Sequence, residues 1–165
     1  MTSPGAALTR VATNLAVGSV RVVGVGVDLV DRADVEQLIE AGGSAFLESA
    51  WTAGEQDECE GSIERLAARW AAKEAVMKAL GAGLGQLSPL DVEVRLDPDT
   101  GAPRVQLHRH ALARAHDQAI YGWLVSLCHE NGWAAAIAVA TREQPEATMP
   151  MLNPATHDDD GREVT

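Results

Sequence analysis

Two carboxylates stand where the surrounding pattern calls for apolar side chains. Asp28 lies near the far end of the run VVGVGVDLV, residues 22–30, which is otherwise valine, glycine and leucine. Glu74 falls on the stripe Ile63, Leu66, Ala67, Trp70, Glu74, Met77, whose spacing of three and four marks one face of a helix. An ionised carboxylate at a core-facing position requires a compensating cation, because desolvation otherwise raises its pKa until it neutralises. Each carboxylate alone has an ordinary explanation. Glu74 can form a one-turn salt bridge with Lys78, and Asp28 can cap the helix that follows it. Together they form a pair of oxygen donors for one hard divalent cation, with room left for water and phosphate, and that suits Mg2+. The same helix carries Arg69, Lys73 and Lys78, cations able to meet phosphate oxygens. Metal and cations together point to phosphoryl chemistry.

Other signals are weaker. Gly24-Val25-Gly26-Val27-Asp28-Leu29 lacks the third glycine of a dinucleotide fingerprint and runs inside an apolar strand. The glycines of GAGLG, residues 81–85, follow a helix, whereas a phosphate loop precedes one, so they read as a helix stop and a turn. Cys128 and His129 are neighbours on a strand and point to opposite faces, which separates nucleophile from base. Cys128 reads as a small core residue, and His129 as an anion ligand or a turn cap. The four tryptophans, Trp51, Trp70, Trp123 and Trp133, read as core or interface anchors.

These side chains must be positioned by a short list of elements. Residues 22–30 are of strand length and valine-rich. Residues 31–39 have helical spacing and stop at Gly42-Gly43, a second short helix begins near Phe46, and a polar helical stretch runs on to Glu60. Ser62 is placed to cap the alanine-rich helix of residues 63–80, which Gly81 ends. Residues 92–96 and 104–107 alternate as strands around the turn DPDTG, a hairpin. A helix over 111–119 then leads to strands at 123–127 and 133–140, joined through Glu130-Asn131-Gly132.

At 165 residues the chain is long enough for one domain, set at residues 21–141, between an N-terminal extension (1–20) and an acidic, disordered tail (142–165). A formal net charge of −11 excludes an electrostatic grip on nucleic acid or anionic lipid. The two cysteines lack metal-ligand spacing, and no run has the length of a signal peptide or membrane span, so a reducing, cytoplasmic setting is expected.

Read in order, GVGVDLVD, WTAGEQDEC, RWAAKEAVMKALGAGLG, DPDTGAP and VSLCHENGWAAAIAV resemble the holo-acyl-carrier-protein synthase family of 4'-phosphopantetheinyl transferases. The resemblance covers residues 21–139 and implies a compact α+β fold, with a small, mainly antiparallel sheet packed against a long central helix. It implies transfer of the phosphopantetheine arm of coenzyme A to a serine of an apo-acyl or peptidyl carrier protein, with Mg2+ held by Asp28 and Glu74. Asp28, Glu74 and Lys78 are then the catalytic residues. Arg69, Lys78, Gly81 and His129 bind coenzyme A, with Arg69 by the diphosphate and His129 at the nucleotide end. It also implies a homotrimer with coenzyme A at the subunit boundary. Relatives often carry a basic first helix, whereas residues 31–40 hold Arg32 alone among Asp31, Asp34, Glu36 and Glu40, which points to a specialised carrier. Two other readings use the same residues: a non-catalytic coenzyme A-binding module, and a metal-dependent phosphohydrolase with water as nucleophile.

Overall fold

The valine-rich run forms β1 (Val22–Asp31) in the computed structural model, which describes residues 21–143. The expected extension, residues 1–20, and all but the first two residues of the acidic tail lie outside the described residues. After β1 come α1 (Arg32–Ala50), α2 (Ala53–Cys59) and α3 (Ile63–Ala79). A 3-10 turn at Pro89–Asp91 leads into the hairpin β2 (Val92–Leu96) and β3 (Pro103–Leu107). The chain continues through α4 (Arg109–Asp117), β4 (Gly122–Glu130) and β5 (Trp133–Thr141). One antiparallel sheet has the order β1-β5-β4, and β2-β3 make a second. Helix α3 packs on both, so the α+β expectation holds.

Helix starts follow local chemistry. The Asp31 carboxylate accepts from the Ala33 amide at 2.8 Å and caps α1, so the capping role belongs to Asp31 and leaves Asp28 free of it. Thr52 and Glu55 form a reciprocal capping box at α2, and Ser62 accepts from the Arg65 amide to start α3. The Gly42-Gly43 stop appears as a kink within α1, where Gly43 takes φ 58° and ψ −148°. Only glycine adopts that backbone readily.

Two glycines set how close α3 comes to the sheet. A Cβ at Gly24 would clash with the carbonyl oxygen of Ala79, and one at Gly26 with that of Ala75. The α3 backbone therefore lies directly on β1, against a strand face made of hydrogen atoms. The stripe expected on α3 is only part of what it buries: Leu66, Ala67 and Met77 are buried, but so are Ala71, Ala72, Ala75 and Val76 on its other faces. A helix between two layers needs small side chains all round, and alanine supplies them.

Among the described residues the β1-β5-β4 sheet is covered on one face only. Its inner face carries Ala134, Ala136, Ala138 and Ala140, all buried. On the other face Val25, Val27, Leu29, Leu124 and Ile137 stay exposed, Val27 by 59% and Leu29 by 62%. Cys128, expected in the core, is exposed on the strand that contributes Leu124. Strand alternation turns Leu127 inward and leaves its neighbour Cys128 outside. Cys59 is the buried cysteine.

Candidate active site

Asp28 is the next inward-facing residue of β1 after Gly24 and Gly26, so the close approach those glycines allow brings its carboxylate against the last turns of α3. Asp28 is only 7% exposed. Its Oδ1 accepts from the Lys78 ammonium at 2.5 Å, and Lys78 Nζ also reaches the Val27 carbonyl at 3.3 Å. The one-turn pairing of Lys78 with Glu74 gives way to a pairing across two elements. Lys78 keeps half of its side chain in solvent, and its hydrogen bond with Asp28 raises its pKa, so it stays cationic.

Glu74 is half-buried one turn before Lys78. Burial raises its pKa first, the Asp28 charge adds to that, and Lys78 opposes both. Two carboxylates thus lie near one ammonium, which is paired with Asp28. Among the described residues Asp28 Oδ2 is buried without a hydrogen-bond partner. An orphaned carboxylate oxygen facing a second carboxylate is the donor set a hard cation takes, and two protein oxygens leave positions for water and phosphate, as Mg2+ requires. The residues present fit that ion.

The other expected cations are elsewhere. Arg69 is 4% exposed, with its Nε donating to the Val94 carbonyl at 3.1 Å and its Nη2 to Glu58 at 2.8 Å. Glu58 in turn binds Arg95 at 2.6 Å; burial works to raise the Glu58 pKa, but hydrogen bonds from Arg95 and Arg69 outweigh it and hold it down. Lys73 is not open to phosphate. Its ammonium is 2.7 Å from the fully buried Glu55 and donates to the carbonyls of Pro89 and Val92. Burial lowers its pKa and Glu55 counters that. Lys73 sits five residues before Lys78, about 140° round the helix, and so faces the hairpin instead of β1.

His129 lies at the opposite end of α3. It lines a cavity of about 220 Å³ with Arg32, Glu64, Ala67 and the β4–β5 turn residues 130–132. Glu64 precedes Glu74 by ten residues, roughly 15 Å along the helix axis. Within one chain the structure brings together Asp28, Glu74 and Lys78, and leaves Arg69 and His129 apart from them.

Gly81 ends α3 as read from the sequence. It takes φ 65°, its amide bonds to Lys78 O at 3.0 Å, and Ala82 bonds to Met77 O at 2.9 Å, the paired hydrogen bonds of a Schellman turn. That turn fixes where the helix stops, three residues beyond Lys78. Sequence reasoning missed Arg114, whose Nε and Nη2 bind the carbonyls of Leu80 and Gly81 at 2.8 Å each. Its place on α4 carried no signal, because the contact joins elements 33 residues apart. Gly24 and Gly26 were visible as glycines, but only packing shows what they are for.

A strand carboxylate facing a helix glutamate and lysine across a glycine contact, in a small two-sheet α+β fold, forms a candidate site whose donors suit a hard cation and a phosphate. Residues 24–138 match the 4'-phosphopantetheinyl transferase superfamily, and the chain belongs to it. The holo-[acyl-carrier-protein] synthase of Herpetosiphon aurantiacus is 39% identical over 121 residues, spanning 69% of this chain and 94% of that protein. Among solved structures, the holo-[acyl-carrier-protein] synthase of Helicobacter pylori in complex with coenzyme A superposes with a TM-score of 0.64 at 29% identity, covering 70% of this chain and 98% of that one. The acyl carrier protein synthase of Mycobacterium tuberculosis is 38% identical with a TM-score of 0.54, covering 75% and 99%.

Proposed function

We propose that this chain transfers the 4'-phosphopantetheine arm of coenzyme A to a serine hydroxyl of an apo-carrier protein. The observation that carries the reading is the Asp28–Lys78–Glu74 grouping, with its orphaned Asp28 oxygen, in a chain of this family. The serine oxygen bonds to the β-phosphorus, the bond from that phosphorus to 3',5'-ADP breaks, and the serine proton passes to a base, either Glu74 or a water beside Asp28. Asp28 and Glu74 would hold Mg2+, which when bound supplies Lewis-acid stabilisation of the diphosphate. Lys78, cationic and half in solvent, is placed to offset negative charge on the diphosphate and the leaving group. Gly81 ends the helix three residues beyond that lysine and so fixes the turn that carries it.

His129 binds the nucleotide end of coenzyme A from a neighbouring copy in a homotrimer, whereas Arg69, sealed on Glu58 and the Val94 carbonyl, ties α3 to α2 and the hairpin. Two observations support the inter-subunit site: His129 does not meet Lys78 within one chain, and among the described residues Val25, Val27, Leu29 and Ile137 form an apolar sheet face that nothing covers. The carrier docks by a surface other than a strongly acidic helix. Arg32 of α1 is already paired with Glu36 at 3.1 Å and Glu64 at 3.8 Å, which leaves that helix no free cation for an acidic partner. No described helix is long and apolar enough to cross a membrane.

The test is to incubate the protein with coenzyme A, Mg2+ and a panel of apo-carriers and weigh the carriers. A gain of one phosphopantetheine on a carrier, lost in Asp28→Ala and Glu74→Ala, is expected. No gain on any carrier favours a non-catalytic coenzyme A-binding module. Release of phosphopantetheine without a carrier favours hydrolysis.

A further inference from the structure

The C-terminal end of α3 is held from both sides. On the sheet side the carbonyl of Ala79 rests on Gly24. On the other side Arg114 of α4 spans the helix end, with Nε on Leu80 O and Nη2 on Gly81 O at 2.8 Å each, while Gln118 Nε2 adds a bond to Leu80 O at 2.9 Å. The last carbonyls of a helix have no partner within it. Here the Schellman turn uses Met77 O and Lys78 O, and the side chains of α4 and its C-cap take Leu80 O and Gly81 O.

A guanidinium is suited to the task. Its planar fork meets two neighbouring acceptors at once, and its charge opposes the negative end of the helix dipole. Ala111 and Ala115 bury α4 in the same core as Val76 and Leu80, so Arg114 reaches the helix end from a fixed base. Lys78 stands three residues before Gly81 in the turn so clamped, and its ammonium must span from α3 to Asp28 on β1. A shift of that turn moves the ammonium relative to both carboxylates.

We propose that Arg114 is a positioning residue for transfer: it fixes the last turn of α3 and through it the place of Lys78. This rests on the phosphopantetheinyl transfer reading for its kinetic consequence, while its structural part can be read without turnover. The experiment compares wild type, Arg114→Ala and Arg114→Lys as full chains, by steady-state transfer well below their thermal midpoints and by amide hydrogen exchange.

In Arg114→Ala the amides of Gly81 and Ala82 are expected to exchange at least about tenfold faster, with those of residues 71–75 unchanged. The kcat should fall about tenfold with KM for coenzyme A within about threefold, because the lost interaction acts in the transition state. Arg114→Lys, which keeps the charge but not the fork, should be intermediate in both, and it carries the test if the alanine variant does not fold. A kcat within about twofold of wild type, or unchanged exchange at Gly81 and Ala82, overturns the proposal, as does a variant that loses thermal stability alone. If wild type modifies no carrier, it is the transfer reading that fails. The exchange data then decide the clamp by themselves: faster exchange at Gly81 and Ala82 keeps it, and unchanged exchange removes it.

Discussion

Lys73 and Lys78 are carried by the same helix, yet one is sealed in the protein and the other stands half in water. Lys73 is 1% exposed and its ammonium has Glu55 and two carbonyls as partners, so its charge is spent on holding α3 to α2 and the hairpin. Breaking a buried pair by removing one partner leaves an uncompensated charge and costs about 3–5 kcal/mol, whereas removing both costs less. Lys73→Met should therefore lower stability by about that much in urea unfolding, and Lys73→Met with Glu55→Gln should recover part of the loss. Equal stability of the single and double variants would show that the pair has no such coupling. Spacing made both lysines legible as cations near Glu74, and the family resemblance, not the helical period, singled out Lys78. A helical repeat gives the angle between residues on one helix, but what lies at that angle depends on other elements.

At the scale of elements, the contact between α3 and β1 governs the site. Gly24 and Gly26 bring the helix backbone onto the strand, and Asp28 is the first residue along that face with a side chain to offer. Gly26→Ala should push the helix away from the strand at Ala75, costing about 1–3 kcal/mol as overpacking does. Transfer should fall further than stability explains, because the Asp28–Lys78 contact depends on that spacing. A Gly26→Ala protein with wild-type kcat at a lowered thermal midpoint would show that the spacing matters only for folding. The strands, the hairpin and α3 were readable from alternation, turn residues and caps, since these act within a few residues. The closeness of α3 to β1 was not, although its cause, GVG, was in plain view.

At the scale of the whole molecule, the outer face of the β1-β5-β4 sheet stays exposed among the described residues. Introducing a charge there, Val27→Asp or Leu29→Asp, should dissociate the homotrimer proposed above, read by sedimentation velocity. On the same proposal these variants should reduce transfer at least about tenfold, because His129 of a neighbouring copy would no longer complete the coenzyme A site. A monomeric variant with full activity would place the entire site within one chain.

Composition, hydrophobic period and local capping act along the chain, and by themselves they determined the elements, their order and the two misplaced carboxylates of the candidate site. The tertiary structure decided which groups meet. Lys78 pairs with Asp28 and not with its helical neighbour Glu74, Lys73 is withdrawn into the core, and Arg114 is brought to the end of α3. Each of these joins residues from different elements, and the energy that chooses the partner comes from how closely the elements pack, which for α3 and β1 is set by the absence of a Cβ at Gly24 and Gly26.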